Sequence, residues 1–413
     1  MNSRQRILAA IDHQTPDGLP VDFGSTSVTG ISATAYYRLT QTLGMKGSRT
    51  RVYDVVSQLA LVEPEIIEKF HADAVDIARL FNQEDQAWKD FTLPSGIPVQ
   101  IPTWFQPVQR PGGEAWDVFD ADGDRIASMP LTATFFDQTY YPYLDGYPTD
   151  FKNLSQALSK VLWTKLVRSP WDHVDEPDFW NQLRQRAITF RQTSDRALVF
   201  TVGCSLFETG CFLRRMDNFL VDMLTNPAQV ESLLDALVER YLATLEKICL
   251  AVGDVVDVLR FGDDLGTDLG PIMSPKTYRS LFKPRQKILC DYIKKHSQMR
   301  ILLHSDGSIY KLIPDLIEVG FDILNPIQMT AKDMQPERLK QDFGKDITFW
   351  GGGCDTRYIL NSGTPDEVKT HVRKNIEALA PGGGYVFATV HNTLSDVPPE
   401  NVLAMFEAVD EYR

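Results

Sequence analysis

His304 and Asp306 stand two residues apart in Arg-Ile-Leu-Leu-His-Ser-Asp-Gly-Ser-Ile, residues 300–309, where an apolar run of strand length stops and a helical apolar pattern begins near Ile309. His391 ends another apolar run, Tyr385 to Val390. Two histidines and a carboxylate at strand ends are competent Zn2+ ligands, with an open position left for a substrate or thiol. The same groups are competent as acid, base and orienter without metal. Spacing alone does not separate the two. Cys354 follows three glycines, where backbone can approach a ligand closely, and is a further candidate ligand. Asp263 and Asp264 end another run and can orient a ligand histidine, accept hydrogen bonds from substrate, or cap a helix. Asp22 toward the end of one strand-like run, and Glu208, Asn325 and Gln328 after others, are candidate substrate contacts.

Positioning these residues requires strands whose carboxyl ends meet. Eight strand-like segments alternate with helical ones: Leu19–Gly24, Ala72–Leu80, Leu198–Val202, Asp257–Phe261, the run ending at His304, Phe321–Leu324, Ile347–Trp350 and Tyr385–Val390. Residues 3–12 and the stretch around Leu213–Leu224 read as helices. Thr364-Pro365-Asp366-Glu367 is a capping signature, followed by one apolar stripe, Val368, Val372, Ile376 and Leu379. Polar residues gather after nearly every strand, as at the catalytic face of an α/β barrel. The expected fold is a (β/α)8 TIM barrel formed by residues 1–413 as one unit, with a small β insertion between strands 2 and 3.

That insertion, residues 83–150, is rich in Pro, Gly and aromatics, has no helical period, and could cover a site. Pro98 confines Ile97–Ile101 to a sheet edge. Asp120, Asp122 and Asp124 resemble a calcium loop in spacing. Gly123 is misplaced, however, and Leu131 stands where a bidentate Glu is needed, so the segment reads as a hairpin turn.

Composition narrows the function classes. The 413 residues carry a net charge of -13, which argues against a nucleic-acid partner. Five widely spaced cysteines without a CxxC pair argue against a disulfide framework or zinc ribbon. The N-terminus lacks the apolar core of a signal peptide and there is no long apolar run, so a cytoplasmic protein is expected, with no membrane partner. The glycine triplets at 351–353 and 382–384 fit neither GxGxxG nor the P-loop.

The opening Arg-Ile-Leu-Ala-Ala-Ile followed by Pro-Asp and Pro-Val, the loop after His304, the Gly-Thr-Pro-Asp-Glu-Val helix start, and His391 followed by Asp396-Val397-Pro398-Pro399-Glu400-Asn401 resemble the uroporphyrinogen decarboxylase superfamily. The resemblance implies the same barrel. The superfamily holds decarboxylases and zinc-dependent methyltransferases that exchange methyl groups with a corrinoid carrier. The decarboxylase pattern requires an arginine-rich loop after the first strand, an aspartate ending the second and a tyrosine after the third. Here the first loop carries Gly24, Ser25, Thr26 and Ser27, the second strand reads as ending near Arg79-Leu80, and only His391 matches.

In the methyltransferases zinc is held by His-x-Cys after the fifth strand and Cys after the eighth. His304 matches the histidine, Asp306 takes the first cysteine's place and His391 the second's, while Cys354 could supply a compensating sulfur. The expectation is a metal-assisted methyltransferase, with Zn2+ on His304, Asp306 and His391 and cobalamin carried by a partner corrinoid protein. Asp264, Asn325 and Gln328 would position a small-molecule methyl donor or acceptor. The alternatives are a metal-free decarboxylase using His391 and Asp306 in proton transfer, and a non-catalytic tetrapyrrole- or corrinoid-binding barrel. The sequence admits a homodimer without naming the oligomeric state.

Overall fold

A computed structural model describes residues 1–165 and 168–413. Its centre is a parallel sheet of seven strands in sequential order: β1 (Ala74–Asp76), β2 (Ala197–Gly203), β3 (Val258–Gly262), β4 (Arg300–His304), β5 (Ile323–Asn325), β6 (Thr348–Trp350) and β7 (Tyr385–Val386). Side chains alternate between faces along a strand, and the two faces differ. Leu198, Phe200, Leu259, Phe261, Ile301, Leu303, Leu324 and Phe349 join the large core shared with the helices. Ala74, Ala197, Val199, Val258, Leu302, Ile323, Trp350 and Val386 form a smaller inner cluster.

The first expected strand is shorter than the sequence suggests. Residues 20–22 make a single parallel bridge, Val21 with Phe387, and hydrogen bonds reach both ends of the sheet: Asp22 N–H donates to Phe387 O (2.8 Å) and Asp73 N–H to Val21 O (2.7 Å). The second strand ends at Asp76 and not at Leu80; residues 77–80 are a 3-10 turn in which the Asp76 side chain accepts from Ala78 N–H (2.9 Å).

Helix α1 (Ser3–Ile11) lies across the amino ends of the strands. Arg4 N–H donates to Asp195 O, Thr348 Oγ1 to Ile11 O and Gly384 N–H to Ala10 O, and Ile7, Ala10 and Ile11 fill the inner cluster. The segment expected as one helix around Leu213–Leu224 breaks at Arg215, whose φ of 67° no helix accommodates; α2 (Phe207–Arg214) precedes the break. In α3 (Pro365–Leu379) the capping box of Thr364 and Glu367 is formed. Its stripe of Val368, Val372, Ile376 and Leu379 is buried, each side chain contributing roughly 1.5–3 kcal/mol.

Between β1 and β2 in sequence lie antiparallel pieces, Trp88–Thr92 with Pro98–Pro102, and a four-stranded sheet spanning Val108 to Gln138. The Asp120–Asp124 hairpin is a turn, and an ammonium occupies the place a cation would take: Lys160 Nζ lies 3.4, 2.9 and 2.9 Å from the carboxylates of Asp120, Asp122 and Asp124. No helix among the described residues is long and apolar enough to cross a membrane.

Candidate active site

The inner face of the sheet turns polar toward its carboxyl edge. Two residues past the apolar positions Ala74, Val199, Val258, Leu302 and Ile323 come Asp76, Thr201, Arg260, His304 and Asn325, on the same face by the period of two. Above them opens a cavity of about 2040 Å³, lined among others by Thr201, Glu208, Arg260, Asp264, His304 and His391.

His304, 5% exposed, is held by its neighbours in one protonation form. Asn325 Nδ2 donates to Trp350 O (2.7 Å), which turns its Oδ1 toward His304 Nδ1, also at 2.7 Å. That acceptor requires the proton on Nδ1 and leaves the Nε2 lone pair free. Nε2 stands 3.7 Å from Asp264 and 3.9 Å from Asp306. Burial, against the pull of Asp306, pushes the imidazole down to about 3, so it is neutral near pH 7.

Asp306 sits in a loop fixed from two sides. Its N–H donates to Asp264 Oδ1 (2.9 Å), and Gly307 N–H donates to Gln328 Oε1 (2.9 Å). Its carboxylate lies 3.8 Å from His391 Nε2. His391 Nδ1 in turn faces Asn392 Oδ1 at 3.0 Å, so it too presents Nε2.

One donor atom from each of His304, Asp306 and His391 lies within 4.8 Å of the others. Tetrahedral zinc with N and O ligands sets donors about 3.4 Å apart. The observed 3.9 and 3.8 Å close to that value with side-chain shifts of about half an ångström. A neutral buried imidazole, a second imidazole and a carboxylate, the first with its remote nitrogen bonded to an amide oxygen, are a donor set that fits a borderline divalent ion.

The other expected site residues divide. Asp264 and Glu208 line the cavity. Burial and the Asp264 and Asp263 carboxylates push Glu208 up to about 8, so it carries a proton at neutral pH. Asn325 and Gln328 are not cavity walls: the first orients His304, and the second holds the Asp306 loop while its Nε2 donates to Asp268 (2.9 Å). Asp22 is also buried away from the cavity, accepting from Trp350 Nε1 (2.7 Å) and Ser25 N–H (2.9 Å). Cys354 is not brought to the ligand group. It bridges Thr389 and is fully buried, and burial pushes its thiol well up. Asp263 is the helix cap: it accepts from the N–H groups of Leu206, Phe207 and Glu208.

Sequence reasoning passes over Arg260, Arg168 and Asp76. The signal for Arg260 is a charge inside Val-Leu-Arg-Phe-Gly, at an inward position of an otherwise apolar strand. The cavity wall draws on residues 149–164, 168–180 and 229–247, with Trp104 from the β-rich stretch.

His304 gives a pH dependence. Its folded value of about 3 lies below the unfolded 6.5, so the unfolded chain takes up this proton first and stability falls as pH drops through that window. Between pH 7 and 5 the expected loss from this group is about 2 kcal/mol. Urea unfolding of wild type and His304→Gln at both pH values measures it; an equal pH dependence in both proteins would contradict the assignment.

Comparison with solved structures finds "methyltransferase from Methanosarcina mazei" at TM-score 0.60 and 17% identity, covering 100% of this chain and 99% of that one; at this identity the likeness is one of fold. A D-psicose 3-epimerase in the presence of D-fructose aligns over 58% of this chain and 84% of that one, at 10% identity and a TM-score of 0.33, too low to argue from. Comparison with curated proteins finds no match. Residues 197–412, more than half the chain and the part that carries β2 through β7 and all three candidate ligands, match the family model described as Uroporphyrinogen decarboxylase (URO-D), and to that family the chain belongs.

Proposed function

We propose that this protein is a metal-assisted methyltransferase of the uroporphyrinogen decarboxylase family, moving a methyl group between a small substrate and a cobalamin-bearing partner. The observation that carries the reading is the convergence of His304, Asp306 and His391 beside the cavity, with Asn325 fixing which nitrogen His304 presents. Zn2+ bound there supplies Lewis-acid polarisation of an ether, amine or thiol. Asp264 and protonated Glu208 face the same space, where they orient a polar substrate and donate a hydrogen bond to it. Closure of the sheet into an eight-stranded barrel by residues 20–22, with residues 83–150 as an inserted subdomain, belongs to the same reading.

Metal analysis of protein purified without added zinc tests it. Wild type is expected to hold close to one equivalent and His304→Ala to hold background levels. Equal metal content in the two, or none in wild type even after zinc is supplied, would remove the basis of the proposal.

One observation favours a metal-free decarboxylase as the second reading. Asp76 does end its strand, where the decarboxylase pattern asks for an aspartate. Burial pushes it up to about 6, and its Oδ2 has no hydrogen-bond partner among the described residues. Carbon dioxide release by metal-stripped protein would favour that reading.

A further inference from the structure

Arg260 is the one charged side chain of the inner sheet face whose charge nothing nearby takes up directly. It is 9% exposed, its Nε finds no partner among the described residues, and none of the described carboxylates stands within 4.0 Å of it. A buried guanidinium with idle donors is costly unless a ligand supplies acceptors. Beside it on β2, in direct register, is Thr201, whose buried hydroxyl is likewise unpartnered. Both line the cavity. Thr201 is held in place through its carbonyl, which accepts from Trp171 Nε1 at 2.8 Å. Arg168, on the cavity wall, is engaged by Asp54 at 3.3 Å and lies 4.0 Å from Asp76.

We propose that Arg260 and Thr201 form a subsite for a singly charged oxyanion, the carboxylate of a small substrate, seated on the cavity floor beside the His304 group. A planar carboxylate can take the guanidinium fork on one edge and the hydroxyl on the other. The surroundings favour one negative charge over two: Arg168 adds a second positive charge near Arg260, and the Asp264 and Asp306 carboxylates already offset part of the pair. Register sets the distance. Arg260 is opposite Leu302 and Gly262 opposite His304, so the backbone of Arg260 starts two residues, roughly 6.6 Å, deeper along the strands than His304, and its side chain reaches up the same face from there. A ligand of a few heavy atoms spans that gap. That such a ligand is the methyl donor or acceptor rests on the function proposed above; the subsite itself does not.

Saturation-transfer NMR on the full chain, in chloride-free buffer with a chelator present, tests the subsite with propionate, its neutral analogue propionamide, and inorganic phosphate. Wild type is expected to bind propionate saturably and propionamide not at all. Arg260→Gln is expected to weaken propionate at least about tenfold, with Arg260→Lys intermediate and Thr201→Val weaker by several-fold. Absence of saturable propionate binding in wild type, equal binding of propionamide, tighter binding of phosphate, or unchanged binding in Arg260→Gln each overturns it. Thermal unfolding checks each fold; if Arg260→Gln does not fold, Thr201→Val decides. His304→Ala is expected to lose metal and keep propionate, so failure of the metal reading and failure of the subsite are told apart in one set of proteins.

Discussion

Gly307→Ala is expected to lower stability by about 2–4 kcal/mol and to abolish stoichiometric metal binding, although residue 307 offers no ligand atom. Gly307 has φ +84°, and a Cβ there would stand 2.5 Å from the carbonyl carbon of Gly266 and 2.7 Å from Thr267 N. The loop on the other side is equally tight, since a Cβ on Gly266 would lie 2.4 Å from Asp306 O. The loops after β3 and β4 thus cross backbone against backbone, fastened by Ser308 N–H donating to Thr267 O (2.7 Å). An added methyl must part them, and the displaced residue is Asp306. Gly382→Ala is the control: its φ is +79° but nothing lies within 4 Å of a Cβ there, so it carries the backbone cost alone, about 1 kcal/mol. Urea unfolding and zinc competition against a chromophoric chelator measure both effects. A Gly307→Ala protein no less stable than the Gly382→Ala control, and holding zinc as wild type does, would refute the crossing as the device that sets Asp306.

Asp263→Ala is expected to destabilise the fold by about 3–5 kcal/mol. This carboxylate is fully buried and accepts from Leu206, Phe207 and Glu208 N–H groups at 3.0–3.1 Å and from Gln286 Nε2 at 3.3 Å. It is the tie between the end of β3 and the start of α2. Removing it strands buried donors and frees Glu208, which α2 aims at the cavity. Asp263→Asn keeps one acceptor oxygen and is expected to lose about half as much. The check is the urea midpoint at constant slope; a loss below about 1 kcal/mol for the alanine variant would mean that water reaches those N–H groups and that the cap is dispensable.

The strands and the His304, Asp306 and His391 group were legible because both depend on local pattern. Apolar runs ending in polar residues mark carboxyl edges, and parallel strands bring those edges together. Roles that depend on which way an amide or carboxylate faces were not legible. Asn325 and Gln328 looked like substrate contacts, yet their oxygens are spent on His304 and on Gly307 N–H. Cys354 looked like a candidate ligand because the glycines before it would let backbone approach a bound group closely. Those glycines instead let backbone close in: a Cβ on Gly353 would stand 2.2 Å from Phe387, and the thiol is sealed in. Asp76 was misplaced by reading Ile77–Leu80, apolar but for Arg79, as strand, when its own side chain caps the turn that ends the strand.

Helix α1 stops one end of this vessel. With Ile7, Ala10 and Ile11 packed into the inner cluster at the amino ends of the strands, the cavity lies toward the carboxyl edge, where Thr201, Arg260 and His304 line it. On the function proposed above, a bulky carrier docking at that edge would cover whatever the cavity holds. Under the proposed function the small reactant is expected to bind before the carrier and its product to leave after it, a kinetic order that would trace back to the helix packed under the strands.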